Sequence, residues 1–249
     1  RVVEDSSGNA GASIAAYCAN AGMGCDIYSL TSIAPRKEQQ ITAFGARLHK
    51  VAGDREVMSA AAQKAAARSF YASHIWNPFF IEGTMTVAYE ISEALGWKAP
   101  DVVFIPTSAG TLLLGAIKGF EHLREADVIE HTPLVVAVQP EAVSPVYHSL
   151  RGLPYNPGQL SKLADALVSQ RPARLKQMVS TLKRLKSESE IVSDREITAA
   201  TKELASRGFF AEPSAAVSWA AWCKWKQKGK LRDNTAVLVL TGSGLKSWL

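Results

Sequence analysis

A chain of 249 residues that is 47% hydrophobic and 20% charged can bury a sizeable core, and its composition excludes collagen-like, disordered and disulfide-scaffold chains. The 28 basic and 23 acidic residues are mixed along the sequence, and the resulting charge of +5 is too small and dispersed to argue for a nucleic-acid partner. Three cysteines without metal spacing (Cys18, Cys25, Cys223) read as reduced thiols, and no apolar run approaches the roughly 18 to 20 residues that cross a bilayer, so a cytoplasmic protein without membrane contact is expected.

The chain opens on Arg1-Val2-Val3, with no methionine and no signal-peptide pattern. That start reads as the inside of a strand, and a further segment is expected upstream. Ser6-Ser7-Gly8-Asn9-Ala10-Gly11 then leads into a helix expected over Ala10–Ala21. Strands are expected over Asp26–Ser29 and Arg47–Val51, and helices over Arg36–Phe44, Arg55–Arg68 and Gly83–Leu95. A third strand, Asp101–Ile105, runs through Pro106-Thr107-Ser108-Ala109-Gly110 into a helix over Thr111–Leu123, and a fourth is expected over Leu134–Val138. Gln139–Gln170, rich in Pro, Gly, Ser and Tyr, reads as a surface excursion near the mouth of a site. Arg171–Lys186 carries six basic residues, first read as a solvated helix face and second as an anion contact. Ser193 and Glu196 form a capping pattern that opens a helix over Asp194–Arg207, followed by a helix over Ser214–Lys228 and a strand over Ala236–Leu240. Short buried-type strands alternating with helices imply an α/β fold of mostly parallel sheets covered on both faces.

Three strand-to-helix or strand-end loops could do chemistry, because ligands of such sheets sit beyond the carboxyl ends of the strands. In the first, Gly8 and Gly11 permit tight turns, N–H groups at a helix start attract an anion, and the Asn9 amide can donate and accept. A plain helix cap is the competing reading. In the second, Thr107, Ser108, Ala109, Gly110 and Thr111 bring N–H groups and hydroxyls together in a way that suits a phosphate, against a simple tight turn. No P-loop string is present. In the third, Thr241-Gly242-Ser243-Gly244 follows an aliphatic strand, and the Thr241 hydroxyl can face a ring nitrogen as a neutral partner.

"SSGNAGAS", "EGTMTVAYEI", "PTSAGTLLLGAIKGF", "AEPSAAV" and "LTGSGLK" occur in this order along the chain. Together they resemble the fold-type-II pyridoxal-phosphate enzymes, a tryptophan synthase beta-like family, and within it the threonine synthases. The resemblance implies the cofactor pyridoxal 5'-phosphate, with Asn9 at its 3'-oxygen, Thr107, Ser108, Ala109, Gly110 and Thr111 at its phosphate, and Thr241 at its pyridine nitrogen. Ser7, Gly8, Ala10 and Gly11 would receive the carboxylate of a small amino-acid substrate. Residues 1–80 would be what remains of a small lobe and 81–249 the lobe that holds the cofactor phosphate. The implied reaction converts O-phosphohomoserine and water to threonine and phosphate. A threonine or serine dehydratase, or a non-catalytic binding relative, would use the same loops.

The family's Schiff-base lysine lies upstream of the asparagine loop in a Ser-Phe-Lys-like context. Only eight residues precede Asn9 here and none is lysine, while the fifteen lysines elsewhere, Lys37 and Lys118 among them, stand in other contexts. The chain by itself is therefore expected to be inactive, either as a fragment of a longer enzyme, for whose full-length form the resemblance implies a homodimer, or, as the second reading, as a lysine-less non-catalytic relative. His49, His74, His122, His131 and His148 are scattered without a carboxylate cluster at ligand spacing, so no metal is expected. Glu212 reads as a helix cap, with a place near the cofactor ring as the family's suggestion. Trp219, Trp222 and Trp225, at helical spacing, read as packing or a subunit contact.

Overall fold

The computed structural model describes residues 1–6, 8–158, 160–161 and 163–245. The chain divides into two compact units, Arg1–Phe80 and Ile81–Leu249.

In the first unit, β1 (Val2–Asp5), α1 (Asn9–Asn20), β2 (Cys25–Leu30), α2 (Pro35–Ala43), β3 (Arg47–Val51), α3 (Arg55–Ala65) and β4 (Phe70–Tyr71) follow in order. Its four strands form one parallel sheet in the order β3-β2-β1-β4, with Val2 opposite both Cys25 and Phe70. Parallel pairing demands a crossover between strands, and the helices supply it. The core is built from small and branched residues: Val2, Ala15 and Cys18 of the first strand and helix meet Cys25, Ile27 and Ile41. The alanines of α1 let the helix lie close on the sheet, and Gly11 lies closest: a Cβ there would stand 2.6 Å from the Ser6 carbonyl oxygen. Burial pushes the Cys25 thiol up to about 12, so it stays protonated and inert at neutral pH.

α4 (Pro78–Thr84) leads in sequence from the first unit to the second, which continues through α5 (Thr86–Ala94), β5 (Val102–Pro106), α6 (Thr111–Glu125) and β6 (Leu134–Pro140). It ends with α7 (Pro145–Arg151), α8 (Leu175–Arg184), β7 (Glu188–Val192), α9 (Asp194–Ser206), α10 (Pro213–Gln227) and β8 (Ala236–Leu238). The sheet is again parallel, in the order β7-β6-β5-β8. Side chains of a strand alternate between faces, and here both faces are apolar. Val102, Phe104, Val136 and Val138 join one core with Ile197, Ala216 and Trp225. Val103, Ile105, Val135 and Ala137 join the other with Leu113, Phe120, Met178 and Leu182. That two-sided burial is why these strands read as continuous apolar runs, and it is the α/β architecture expected from sequence.

Several expected boundaries shift. The helix expected over Gly83–Leu95 is two helices, broken at Met85, where the Thr84 hydroxyl donates to the carbonyls of Ile81 and Thr111 at 3.1 Å each. β8 stops at Leu238, short of the expected Leu240. The segment Gln139–Gln170 is not irregular throughout, since it contains α7. The basic stretch Arg171–Lys186 holds α8, which turns Met178, Val179 and Leu182 inward and leaves Lys176, Lys183 and Arg184 exposed. β7 is a further strand that no apolar run announces, because its sequence, Glu-Ser-Glu-Ile-Val, is polar at an edge. The capping box of Ser193 and Glu196 forms as expected: Glu196 N–H donates to Ser193 Oγ at 3.3 Å, and the Glu196 carboxylate accepts from Ser193 N–H at 2.7 Å.

Candidate functional site

At the carboxyl edge of the first sheet, β1 ends in Glu4-Asp5 and passes through Ser6 and Gly8 into α1. Gly8 N–H donates to Ser6 Oγ at 3.2 Å, and Gly8 caps α1 without a side-chain hydrogen bond. The first-turn N–H groups of a helix have no intrahelical acceptor, so this start remains suited to an anion. Asn9 is exposed in the first helical turn, one residue earlier than the expected helix start. Ala10 is half-buried, and Ser7 lies outside the described residues. The turn freedom expected of the two glycines is not used as positive-φ backbone at either position. Gly8 is extended (φ −128°), and Gly11 is there because α1 packs closely on the Ser6 backbone and Ile27.

The same edge holds a cluster that sequence reading missed. Glu4 and Asp5 are both fully buried, and His74, just beyond β4, brings Nδ1 to 2.5 Å from Glu4 Oε1. One ligand atom from each of the three residues lies within 4.8 Å of the others, which overturns the expectation that no histidine meets carboxylates at ligand spacing. Tyr71 Oη donates to Asp5 Oδ1 at 2.6 Å, and Arg55 Nη2 stands 3.3 Å from His74 Nε2 and 3.9 Å from Asp5 Oδ2. Glu4 Oε2 and Asp5 Oδ2 have no hydrogen-bond partner among the described residues. The pairing of β1 with β4 joins positions about 70 apart in sequence, which periodicity cannot reveal; the only local signal is two acidic residues ending an apolar strand.

Burial pushes the Glu4 carboxyl above its ordinary value of 4.5, against the opposing pull of the His74 hydrogen bond. Burial, and then its bond to Asp5, push the Tyr71 phenol up to about 12. A carboxyl whose native pKa is raised binds its proton more tightly when folded. Its contribution to stability is therefore fully present below pH 4.5 and is lost as pH climbs through the raised native value. Glu4→Gln is expected to flatten that fall in stability, read as urea midpoints measured from pH 4 upward; an unchanged pH profile would show that Glu4 does not titrate in this way.

In the second unit, two loops lie at the carboxyl ends of adjacent strands, since β5 and β8 pair with Phe104 opposite Leu238. In the β5–α6 loop, Thr107 has both donors engaged: N–H with the Val138 carbonyl at 2.8 Å and Oγ1 with the Ile105 carbonyl at 2.9 Å. Gln139 reaches the Thr107 carbonyl at 3.5 Å and holds Val146 and Tyr147 N–H groups with its own oxygen. Thr107 thus anchors the loop, and the groups left to meet an anion are those of Ser108, Ala109, Gly110 and Thr111. Ser108 is half-buried and its Oγ accepts from Ser169 N–H at 3.4 Å, which leaves its own proton for a ligand. Gly110 begins α6 with φ +94° and no side-chain cap. A Cβ at Gly110 would stand 2.2 Å from Met178 Sδ, so the loop is pinched between α6 and α8 to a width only glycine allows.

Beyond β8, Thr241 is half-buried on an open cleft of about 410 Å³ lined also by Phe209, Phe210, Leu240 and Ser243. Glu212 N–H donates to the Gly242 carbonyl at 3.1 Å, and Gly244 N–H to the Phe210 carbonyl at 2.9 Å, which fixes this loop against the start of α10. Glu212 is the residue before α10, yet its side chain makes no capping bond, which corrects the expected cap. Its carboxyl, 2% exposed, lies against Gly242, where an added Cβ would come within 2.3 Å of Oε1. A buried carboxylate is thereby placed one residue from Thr241.

These parts fit a phosphorylated aromatic cofactor. A helix start, whose first N–H groups have no intrahelical acceptor, with a hydroxyl donor and a backbone pinched at glycine suits a dianionic phosphate without a basic side chain. A hydroxyl on the neighbouring strand end suits a ring heteroatom.

The protein family described as pyridoxal-phosphate dependent enzyme matches residues 1–242. Threonine synthase of Methanocaldococcus jannaschii is 31% identical over 251 residues, a match covering 97% of this chain and 61% of that protein. Threonine synthase of Bacillus sp. (strain ULM1) is 33% identical over 248 residues, covering 97% of this chain and 68% of its own length. Among solved structures, maize serine racemase superposes with a TM-score of 0.82 at 19% identity, covering 100% of this chain and 74% of the other. The processed form of threonine deaminase isoform 2 from Solanum lycopersicum gives 0.83 at 19% identity, covering 97% and 65%. At such identities the structural likeness concerns the fold. No helix among the described residues is long and apolar enough to cross a membrane.

Proposed function

Because the chain belongs to the pyridoxal-phosphate dependent enzyme family, for which pyridoxal 5'-phosphate is the cofactor, we propose that it forms the cofactor- and substrate-binding part of a threonine synthase-like lyase. The reaction would convert O-phosphohomoserine and water to threonine and phosphate. The observation that carries this reading is identity of about a third to curated threonine synthases along 97% of the chain. The chain spans 61% of the length of the first of these, so a complete enzyme's turnover is proposed for a polypeptide that also supplies the Schiff-base lysine.

The chemistry of the bound cofactor is that of an electron sink for carbanions formed on the substrate. The chain's own residues orient and hold. N–H groups of Ala109, Gly110 and Thr111, with the Ser108 hydroxyl, would bind the cofactor phosphate at the start of α6. The Thr241 hydroxyl would meet the ring nitrogen as a neutral partner and leave it unprotonated, a milder arrangement than a carboxylate offers. Asn9 would hold the 3'-oxygen, and Ser7, Gly8, Ala10 and Gly11 the substrate carboxylate.

A second reading, a dehydratase acting on threonine or serine, is favoured by the likeness of fold to threonine deaminase. Phosphate release from O-phosphohomoserine, compared with ketoacid release from threonine and serine, separates the two on the lysine-bearing enzyme. Ketoacid release alone would remove the threonine synthase reading. The 249-residue chain itself is expected to bind the cofactor without a covalent link, because none of its fifteen lysines stands in the family's context. Borohydride treatment followed by peptide mass spectrometry should find no lysine specifically pyridoxylated, and a single modified lysine would refute this.

A further inference from the structure

The geometry points to His74 as a proton-transfer residue at the edge that carries the Asn9 loop, with Glu4 as its positioning residue. The assignment deepens the lyase reading above and rests on it.

Four observations support the pair. First, β1 and β4 are neighbouring parallel strands, so His74, just past β4, and Ser6 and Asn9, just past β1, lie at the same carboxyl edge. Ligands of such sheets sit at that edge. Second, the tautomer of His74 is determined by its neighbours. Arg55 offers only donors, so Nε2, 3.3 Å from Arg55 Nη2, carries the lone pair, and Nδ1 carries the proton donated to Glu4 Oε1 at 2.5 Å. In this tautomer the accepting nitrogen of His74 points away from the carboxylate that holds the ring. Third, Glu4 is fully buried while the His74 side chain keeps 17% of its surface exposed, so the carboxylate works from behind and the imidazole faces outward. Fourth, two buried carboxylates, each with an oxygen that accepts no hydrogen bond, are costly to fold even with Arg55 3.9 Å from Asp5 Oδ2. Packing alone does not call for them at positions 4 and 5, whereas an imidazolium formed during a reaction would be stabilised by them.

In the step assigned, an O–H bond of the attacking water breaks as its oxygen bonds one carbon of a substrate double bond, which opens and passes its electron pair into the conjugated system that the cofactor would hold. The proton goes to His74 Nε2, the charge that forms faces Glu4 and Asp5, and the proton then leaves to solvent, so His74 ends as it began. Arg55, 40% exposed, turns from Nε2 toward the anionic group of the arriving substrate. The three ligand atoms would also suit a divalent cation, but the Arg55 guanidinium already stands against Asp5 and His74 where that charge would lie.

Three measurements test the pair. On the lysine-bearing holoenzyme, His74→Gln is expected to lower kcat by about 10²-fold or more, the range of general acid-base catalysis, with KM and the cofactor absorption band little changed. Glu4→Gln should lower kcat less, by about tenfold, because it keeps an acceptor for Nδ1–H but removes the charge. Wild-type kcat in His74→Gln overturns the proposal. The second readout does not depend on turnover, and its first arm needs no variant. In the 249-residue chain with ¹⁵N-labelled histidine, long-range ¹H–¹⁵N spectra should show His74 protonated at Nδ1 and bare at Nε2, and Glu4→Ala should release that preference. An Nε2–H tautomer in the unsubstituted chain overturns the proposal, as does saturable Mn²⁺ or Zn²⁺ binding abolished by His74→Gln. If the holoenzyme releases neither phosphate nor ketoacid, the lyase reading fails, and the tautomer decides the Glu4–His74 pair separately.

Discussion

Trp225→Ala is expected to lower the stability of the protein by about 3–5 kcal/mol, the usual cost of emptying a buried aromatic site. Trp225 is 2% exposed on α10 and packs edge-on against Phe104 of β5, with ring centres 5.2 Å apart. Its indole N–H donates to Glu190 Oε2 at 2.9 Å, and Glu190 is itself only 6% exposed on the edge strand β7. Truncation therefore removes both the packing of α10 on the sheet and a donor to a buried carboxylate. Lys228, 3.4 Å from the same carboxylate, keeps it partly paired. Trp225→Phe should restore most of the packing but not the hydrogen bond, and so cost about 1–3 kcal/mol. Urea or thermal unfolding of the three proteins checks the order. A Trp225→Ala protein within 1 kcal/mol of wild type would mean that α10 is not held through this residue.

Gly110→Ala is expected to weaken binding of pyridoxal phosphate by at least about tenfold, roughly 1.4 kcal/mol, while leaving the fold intact. Two costs fall on the same Cβ. At φ +94° an L-residue is strained by about 1–2 kcal/mol. The new methyl would also stand 2.2 Å from Met178 Sδ and 2.9 Å from its Cγ and Cε, so the methionine or the loop must move. Met178 is fully buried, which leaves the loop as the part that yields, and the N–H groups of Ala109 and Thr111 turn with it. Adding Met178→Ala should recover the steric share and leave the backbone share. Titrating the cofactor by absorbance or fluorescence measures both. Undiminished affinity in Gly110→Ala would show that the β5–α6 turn is not the phosphate cradle.

The legibility of the site in the sequence was uneven, for physical reasons. Loops whose chemistry depends on neighbours in sequence were readable: small residues between an apolar strand and a helix identify the β5–α6 turn, and Ser193 with Glu196 identifies the start of α9. What Thr107 does was not readable, because its donors are engaged by carbonyls of Ile105 and Val138, and the latter comes from another strand. The role of Glu212 was misjudged in the same way. Its position before Pro213 suggests a cap, yet the carboxyl turns to Gly242, which comes from beyond β8.

The local sequence by itself determined the parallel α/β architecture, the family and the three polar loops. Hydrophobic alternation, glycine placement and capping act over a few residues and survive without knowledge of the fold. Only the tertiary structure decided that β7 exists, that α8 is amphipathic with a buried methionine against Gly110, and that Glu4, Asp5, Arg55, Tyr71 and His74 form one cluster. Those facts depend on which strands become neighbours. Strand order follows from the packing of whole helices and sheets, and no window of sequence contains it.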